Sequence, residues 1–286
     1  ALHILEEAME SGAVGPGTVV VESSSGNLGI GLAQACRYFG LRFICVVDIK
    51  TTQQNIRILK TYGAEIDLVS EPDPETGEFL QSRLDRVRTL LRTIKNSFWP
   101  NQYANPANAG SHYKTTMREI AEKLAEWGGK IDYLFCATST CGTLRGCAEY
   151  ARDHNLGARI MAVDAVGSVI FGGKPAKRLI PGHGASRRPQ LFRPGLADDL
   201  IRVTDLDCVV GCRRLMRSEA ILAGGSSGGV LMAVDKLRRR IPSGATCVAI
   251  FHDRGERYLD TIYSDDWVEE HFGEVSNHWQ SQVEEE

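Results

Sequence analysis

The stretch VVVESSSGNLGIGLA, residues 19–33, decides the fold. Thr18 to Val21 is β-branched and predicts a buried strand. Leu28, Ile30, Leu32 and Ala33 begin an apolar helix that runs to about Phe39. Three serines, a glycine and an asparagine stand between them. Strand, tight glycine turn and helix together aim free N–H groups at an anion. Gly26, Gly29 and Gly31 give G-x-x-G-x-G, which is not the dinucleotide spacing G-x-G-x-x-G. Asp48, ending RFICVVD, stands where a ribose-binding acid would. Ser23-Ser24-Ser25-Gly26-Asn27 speaks instead for a small carboxylate. On this loop alone both the nucleotide and the small-anion readings stay open.

The 286 residues suit one large or two medium α/β domains. A net charge of −3 with mixed signs makes no case for nucleic acid or an anionic membrane. No apolar run reaches the roughly 18 residues of a membrane helix, and nothing reads as a signal peptide. The eight cysteines form no C-x-x-C pair, so zinc and dithiol chemistry are poor readings. Reduced thiols and a cytoplasmic protein are expected. ALHILEEAMESG reads as a helix without an N-cap, as if a preceding segment were missing.

Strand and helix patterns alternate: strands at 42–48, 65–70, 133–137, 159–167 and 245–251, with helices across 52–62, 78–95, 114–127 and 205–220. The segments 99–113 and 168–200 read as loops. This alternation predicts parallel sheets flanked by helices. A smaller domain is expected over 1–105, a larger one over 106–273, and a loose polar tail over 274–286.

Three Gly/Ser turns each precede a helix, and each should lie at the carboxyl edge of a sheet, where such folds bind ligands. STCGT suits a phosphate, through N–H groups and the hydroxyls of Ser139, Thr140 and Thr143. Ser226, in AGGSSGG, offers a neutral hydroxyl for a ring nitrogen. SSSGN suits a carboxylate. Phosphate, ring nitrogen and carboxylate together describe an amino acid joined to pyridoxal 5'-phosphate.

SSSGN (23–27), NQYANPAN (101–108), STCGT (139–143), GHGAS (182–186), AGGSSGG (223–229) and GERY (255–258) occur in this order. The set resembles the fold-type II pyridoxal-phosphate enzymes of the cysteine synthase and cystathionine β-synthase family, from Ala1 to about Trp267. The resemblance implies the two-domain, tryptophan synthase β-like α/β fold and a homodimer. It also implies a Schiff-base lysine in a Gly-Ser-x-Lys-Asp-Arg segment, expected just upstream of Ala1. No lysine of the chain stands in that motif. GSVIFG, GASRRP, VGCRRLMRSEAILAGGSSG and DRGERYLDTIYSDDW resemble one branch, the N-(2-amino-2-carboxyethyl)-L-glutamate synthases of diaminopropionate and staphyloferrin B-type siderophore pathways. Those enzymes join O-phospho-L-serine and L-glutamate and release phosphate.

The resemblance assigns Asn27 to the ring hydroxyl of the cofactor, Ser139 to Thr143 with Cys141 and Gly142 to its phosphate, and Ser226 to its ring nitrogen. Ser24, Ser25, Gly26 and Gln102 are assigned to the substrate carboxylate. Arg83 is assigned to the phosphoserine phosphate, with Tyr103 and Ser186 as further substrate contacts. Leu28, Cys141 and His183 depart from the family pattern. Cys141 is expected to place a thiol beside the cofactor. His183 reads as a solvated residue of an Arg-rich loop, with contact to the second substrate as the alternative. A cysteine synthase, a dehydratase-type lyase, or a non-enzymatic binding protein lacking the lysine remain competing readings.

Overall fold

The computed structural model describes residues 1–74 and 77–280. The chain divides into two compact units, Ala1–Asn108 and the part from Ala109 onward.

The first unit runs α1 (Leu2–Glu10), β1 (Val19–Ser23), α2 (Asn27–Phe39), β2 (Arg42–Asp48), α3 (Gln53–Thr61), β3 (Glu65–Val69), α4 (Phe79–Thr93) and β4 (Ser97–Phe98). Its four strands form one parallel sheet in the order β3-β2-β1-β4. Alternate residues serve two cores. Val20, Cys45 and Val47 pack with Leu32 of α2 and Leu59 of α3. Val19, Val21, Ile44 and Val46 pack with Val87 and Leu90 of α4. A sheet buried on both faces needs near-continuous apolar strands, which is why FICVV reads as a solid block. Gly40 ends α2 in the left-handed region at φ 69°, where an L side chain would be strained. Because the strands are parallel, the loop after Ser23 and the side chain of Asp48 lie at the same sheet edge.

Helix α5 (Pro106–Ser111) leads into a π-helical turn, His112–Met117, and then α6 (Arg118–Glu126). The second unit continues with β5 (Tyr133–Ala137), α7 (Gly142–Asp153), β6 (Arg159–Ala165), β7 (Asp199–Val203), α8 (Asp205–Glu219), α9 (Gly225–Leu237) and β8 (Cys247–Ala249). A 3-10 turn at Gly255–Tyr258, α10 (Asp265–Phe272) and α11 (Asn277–Gln280) follow. Its parallel sheet has the order β7-β6-β5-β8. Phe135, Met161 and Val163 face α8 and α9, while Leu134, Cys136 and Ala162 face α7 and Met117. The parallel, helix-flanked architecture expected from the alternation is present in both units.

Several local expectations are corrected. Residues 106–113 are helical, because α5 starts on a proline, whose fixed φ suits a first helical position. The π turn fits α7 closely: a Cβ on Gly146 would overlap Ala109 O and crowd His112 Cβ. Strand β7 lies partly inside the expected 168–200 loop; DLIRV is short and polar-flanked, and its pairing with β6 determines it. Gly225 to Gly229 form the first turns of α9 rather than a loop. Gly211 and Gly228 let α8 and α9 touch, since a Cβ on either would overlap backbone of the other helix. Within the expected tail, Trp279 is buried, with the Arg213 guanidinium 5.3 Å from its ring. Residues 281–286 of that tail lie outside the described residues. Among the described residues no helix is long and apolar enough to cross a membrane.

Candidate functional site

In the first unit, the triple-serine loop is tied down through its carbonyls. Ser23 O accepts from Gln102 Nε2 at 3.2 Å, Ser24 O from the Cys45 thiol at 3.1 Å, and Ser25 O from Asn55 Nδ2 at 2.9 Å. The loop leads into the start of α2, and a helix N-terminus favours an anion. Ser24 has a second duty: its Oγ accepts from Gly29 N at 2.9 Å and so caps α2. Gly29 is required by packing, because a Cβ there would stand 2.8 Å from Ser24 O. Ser25 and Gly26 are half-buried and Asn27 is exposed at the mouth. Gln102 is thus brought to the loop, with half-buried Tyr103 following it.

Glu22, overlooked in the sequence, is fully buried beneath this loop. Its carboxylate accepts from Ser23 N at 2.8 Å, Trp99 Nε1 at 3.0 Å and Gln102 N at 3.2 Å. Burial pushes Glu22 up to about 7, against the downward pull of these donors.

Arg83, on α4, lies beside the end of β2. Its Nε lies 3.2 Å from Asp48 Oδ2, without hydrogen-bond alignment. Asp48 is therefore a partner of arginine and not a free ribose acid. Arg86 forks onto Asp67 at 2.8 and 2.7 Å, and Arg88 pairs with Asp85. Among the described residues the two terminal nitrogens of Arg83 make no hydrogen bond, so its fork remains open.

In the second unit, Ser139 to Thr143 connect β5 to α7. Cys141 adopts φ 65°, a left-handed conformation at the helix N-cap that favours glycine. Ser139, Thr140 and Thr143 are half-buried. The loop is anchored below by Thr138, whose Oγ1 donates to Asp164 Oδ1 at 3.0 Å and whose carbonyl accepts from Gly184 N at 2.7 Å. Thr143 Oγ1 lies 3.1 Å from His112 Nε2, and His112 Nδ1 lies 3.0 Å from Thr116 Oγ1. Burial pushes His112 down to about 4, so the ring is neutral at neutral pH. No local pattern foretells this contact, because a π turn is needed to bring His112 to α7.

Cys141 is buried and packs among Ile170, Ala185 and Leu191, and burial pushes its thiol up to about 12. The solvated reading of His183 is corrected: it is 2% exposed. Its Nε2 lies 3.2 Å from Val163 O and its Nδ1 3.6 Å from the Cys208 sulfur. A carbonyl can only accept, so Nε2 carries the proton and Nδ1 faces the thiol. It anchors the 182–186 loop, leaving Ser186 half-buried beyond it. Ser226, 8% exposed, sits in the first turn of α9, and the buried hydroxyl of Ser227 beside it has no partner among the described residues.

The second unit's donor set suits a phosphorylated pyridine. Hydroxyls and N–H groups gather at the start of α7, which suits a phosphate at a helix N-terminus. A neutral hydroxyl at the start of α9 suits a ring nitrogen.

The family model described as pyridoxal-phosphate dependent enzyme matches residues 1–253. The chain belongs to this family. A curated relative from Ralstonia nicotianae, N-(2-amino-2-carboxyethyl)-L-glutamate synthase, is 46% identical over 268 residues, covering 94% of this chain and 78% of the relative. Among solved structures, O-ureido-L-serine synthase superposes with a TM-score of 0.85 at 27% identity, covering 93% of this chain and 84% of that one. The O-acetylserine dependent cystathionine β-synthase of Helicobacter pylori gives a TM-score of 0.84 at 27% identity, covering 92% and 84%. The cofactor of the family is pyridoxal 5'-phosphate, and the fold-type II architecture is that of these enzymes.

Proposed function

We propose that the protein catalyses a β-replacement joining O-phospho-L-serine to L-glutamate, giving N-(2-amino-2-carboxyethyl)-L-glutamate and inorganic phosphate. What carries this reading is the 46% identity to the Ralstonia nicotianae synthase across 94% of the chain. The open guanidinium fork of Arg83 supports the phosphorylated donor. By the same resemblance the product leads toward 2,3-diaminopropionate for a siderophore, in a cytoplasmic homodimer.

When bound, pyridoxal phosphate supplies the electron sink that lets the α-proton and then the β-phosphate of the donor leave. In this reading Ser139 to Thr143 hold its phosphate, His112 fixes the hydroxyl of Thr143, Ser226 meets the ring nitrogen and Asn27 the ring hydroxyl. Ser226 is uncharged and does not force that nitrogen to keep a proton. Ser25, Gly26 and Gln102 bind the donor carboxylate, while Ser24 shares its hydroxyl between that task and the cap of α2. Arg83 takes the departing phosphate, with Tyr103 and Ser186 as further substrate contacts. The Cβ–O bond breaks, and the glutamate amine forms the new Cβ–N bond.

The cofactor-anchoring lysine of the family also carries the α-proton. No lysine of this chain stands in the Gly-Ser-x-Lys-Asp-Arg pattern, so the reading places that residue outside 1–286. Borohydride reduction and peptide mapping of the full-length protein should mark a lysine absent from this stretch.

A second reading, an acetylserine donor, draws on the Helicobacter pylori relative. The deciding experiment supplies the full-length holoenzyme with phosphoserine and measures phosphate release with and without glutamate. Glutamate-dependent release, with a product of the joined mass, is expected. Release that ignores glutamate, or turnover only with acetylserine and sulfide, moves the assignment to another member of the family.

A further inference from the structure

Glu22 is a costly residue to place at the end of a buried strand. An ionised carboxylate loses most of its hydration there, and only a dense set of donors compensates. It has that set. Oε1 accepts from Ser23 N at 2.8 Å and Trp99 Nε1 at 3.0 Å, and Oε2 accepts from Gln102 N at 3.2 Å. The backbone of Asn101 adds a further bond. These donors come from two stretches of chain nearly eighty residues apart, and one side chain joins them. Gln102 is gripped at each polar atom used: its N–H by Glu22, its side-chain amide by Ser23 O at 3.2 Å, and its carbonyl by Asn108 Nδ2 at 2.8 Å.

We propose that Glu22 is the positioning residue of the carboxylate subsite, holding Gln102 and the triple-serine loop at a fixed spacing through one shared carboxylate. The inference rests on the reading of loop 23–27 as the site of the donor's carboxylate. Only a carboxylate can do this from one point: it accepts on both oxygens, whereas a glutamine would turn an N–H2 group against an N–H donor. Leucine would leave the Trp99, Asn101 and Gln102 donors buried and unpaired. The titratable neighbour on β2 is the Cys45 thiol, which burial, and then the charge of Glu22, push up to about 12. It remains a thiol and adds no charge at neutral pH.

The test uses full-length holoenzyme, Glu22→Gln and Ser25→Ala, with thermal melts to establish folding. Glu22→Gln should raise the donor KM by about 10-fold or more with kcat changed less than about 3-fold, the split expected for lost placement of a binding group. Trp99 gives a readout independent of turnover. Its fluorescence, isolated by subtracting Trp99→Phe, should shift with pH across the neutral range in the wild type and stay flat in Glu22→Gln. If Glu22→Gln does not fold, Glu22→Asp carries the same test, since it keeps the charge but withdraws it from Trp99 and Gln102. An unchanged donor KM in a folded Glu22 variant overturns the proposal, as does a Trp99 transition that survives in Glu22→Gln. Ser25→Ala separates the underlying reading. If it leaves the donor KM unmoved, loop 23–27 is not the carboxylate site and the proposal falls with that reading. If Ser25→Ala raises KM and the Glu22 variants do not, the site stands and the role of Glu22 is refuted.

Discussion

Arg83 Nε lies 3.2 Å from Asp48 Oδ2, with the two side chains 13% and 7% exposed. The carboxylate faces the Nε side of the guanidinium, and among the described residues the two terminal nitrogens make no hydrogen bond. An open arginine fork binds a phosphate through two parallel charge-assisted bonds. Arg83→Ala should lower kcat/KM for phosphoserine about 30- to 1,000-fold, or about 2–4 kcal/mol, with much less effect on acetylserine. It also strands the buried charge of Asp48, which costs stability. Adding Asp48→Asn should recover the melting temperature but not the use of phosphoserine. Recovery of both by the double variant would make Arg83 structural.

Acid should destabilise the second unit. His112, His183 and His252 are held below the ordinary histidine value by burial, His112 at about 4. A depressed folded pKa gives stability that is full above the ordinary 6.5 and is lost as the pH falls through about 4. His112 alone accounts for about 3 kcal/mol by this linkage. Glu22 has the opposite sign: raised from 4.5 to about 7, its contribution is full below 4.5 and is lost as the pH rises through 7. With three groups against one, the melting temperature should fall between pH 7 and pH 5. His112→Gln, which can still reach Thr143, should flatten that slope; an equal slope in the variant contradicts the assignment.

The glycines divide into two kinds that a melt can separate. A Cβ on Gly228 would overlap Cys208 O, so Gly228→Ala should cost about 1–3 kcal/mol or more by overpacking. A Cβ on Gly26 meets nothing within 4 Å. Gly26→Ala should therefore melt like the wild type while raising the donor KM, because its methyl occupies the mouth of the anion loop. An unchanged KM would remove that loop from the substrate site.

Seven of the eight free cysteines are buried and Cys247 is half-buried. A disulfide-exchange reagent should label Cys247 first in the native protein and the others only on unfolding. Labelling of Cys141 as fast as Cys247 would place its thiol at the open face of the phosphate loop, contrary to its packing on Ile170 and Leu191.

The sequence carried what depends on local pattern. FICVV and YLFCA are apolar blocks, so their strands and the parallel sheets could be read directly. SSSGN and STCGT announced themselves by composition. What was hidden depends on contacts across the chain. Nothing near Glu22 foretells Trp99, and nothing near His112 foretells Thr143. His183 looked solvated because its neighbours are arginines, yet its own ring closes onto β6 and α8. The glycines of AGGSSGG looked like a loop; Gly228 and Gly229 are helical, and neither has room for a Cβ against α8. DLIRV needed the register of β6 to become a strand.

The proposed phosphorylated donor and acidic acceptor stand or fall on kcat/KM for phosphoserine and for acetylserine, measured on the full-length holoenzyme with glutamate held constant. A preference for phosphoserine of about 100-fold or more is predicted, because a site built around an arginine fork is left unpaired by an acetyl group. Equal or better use of acetylserine would contradict it.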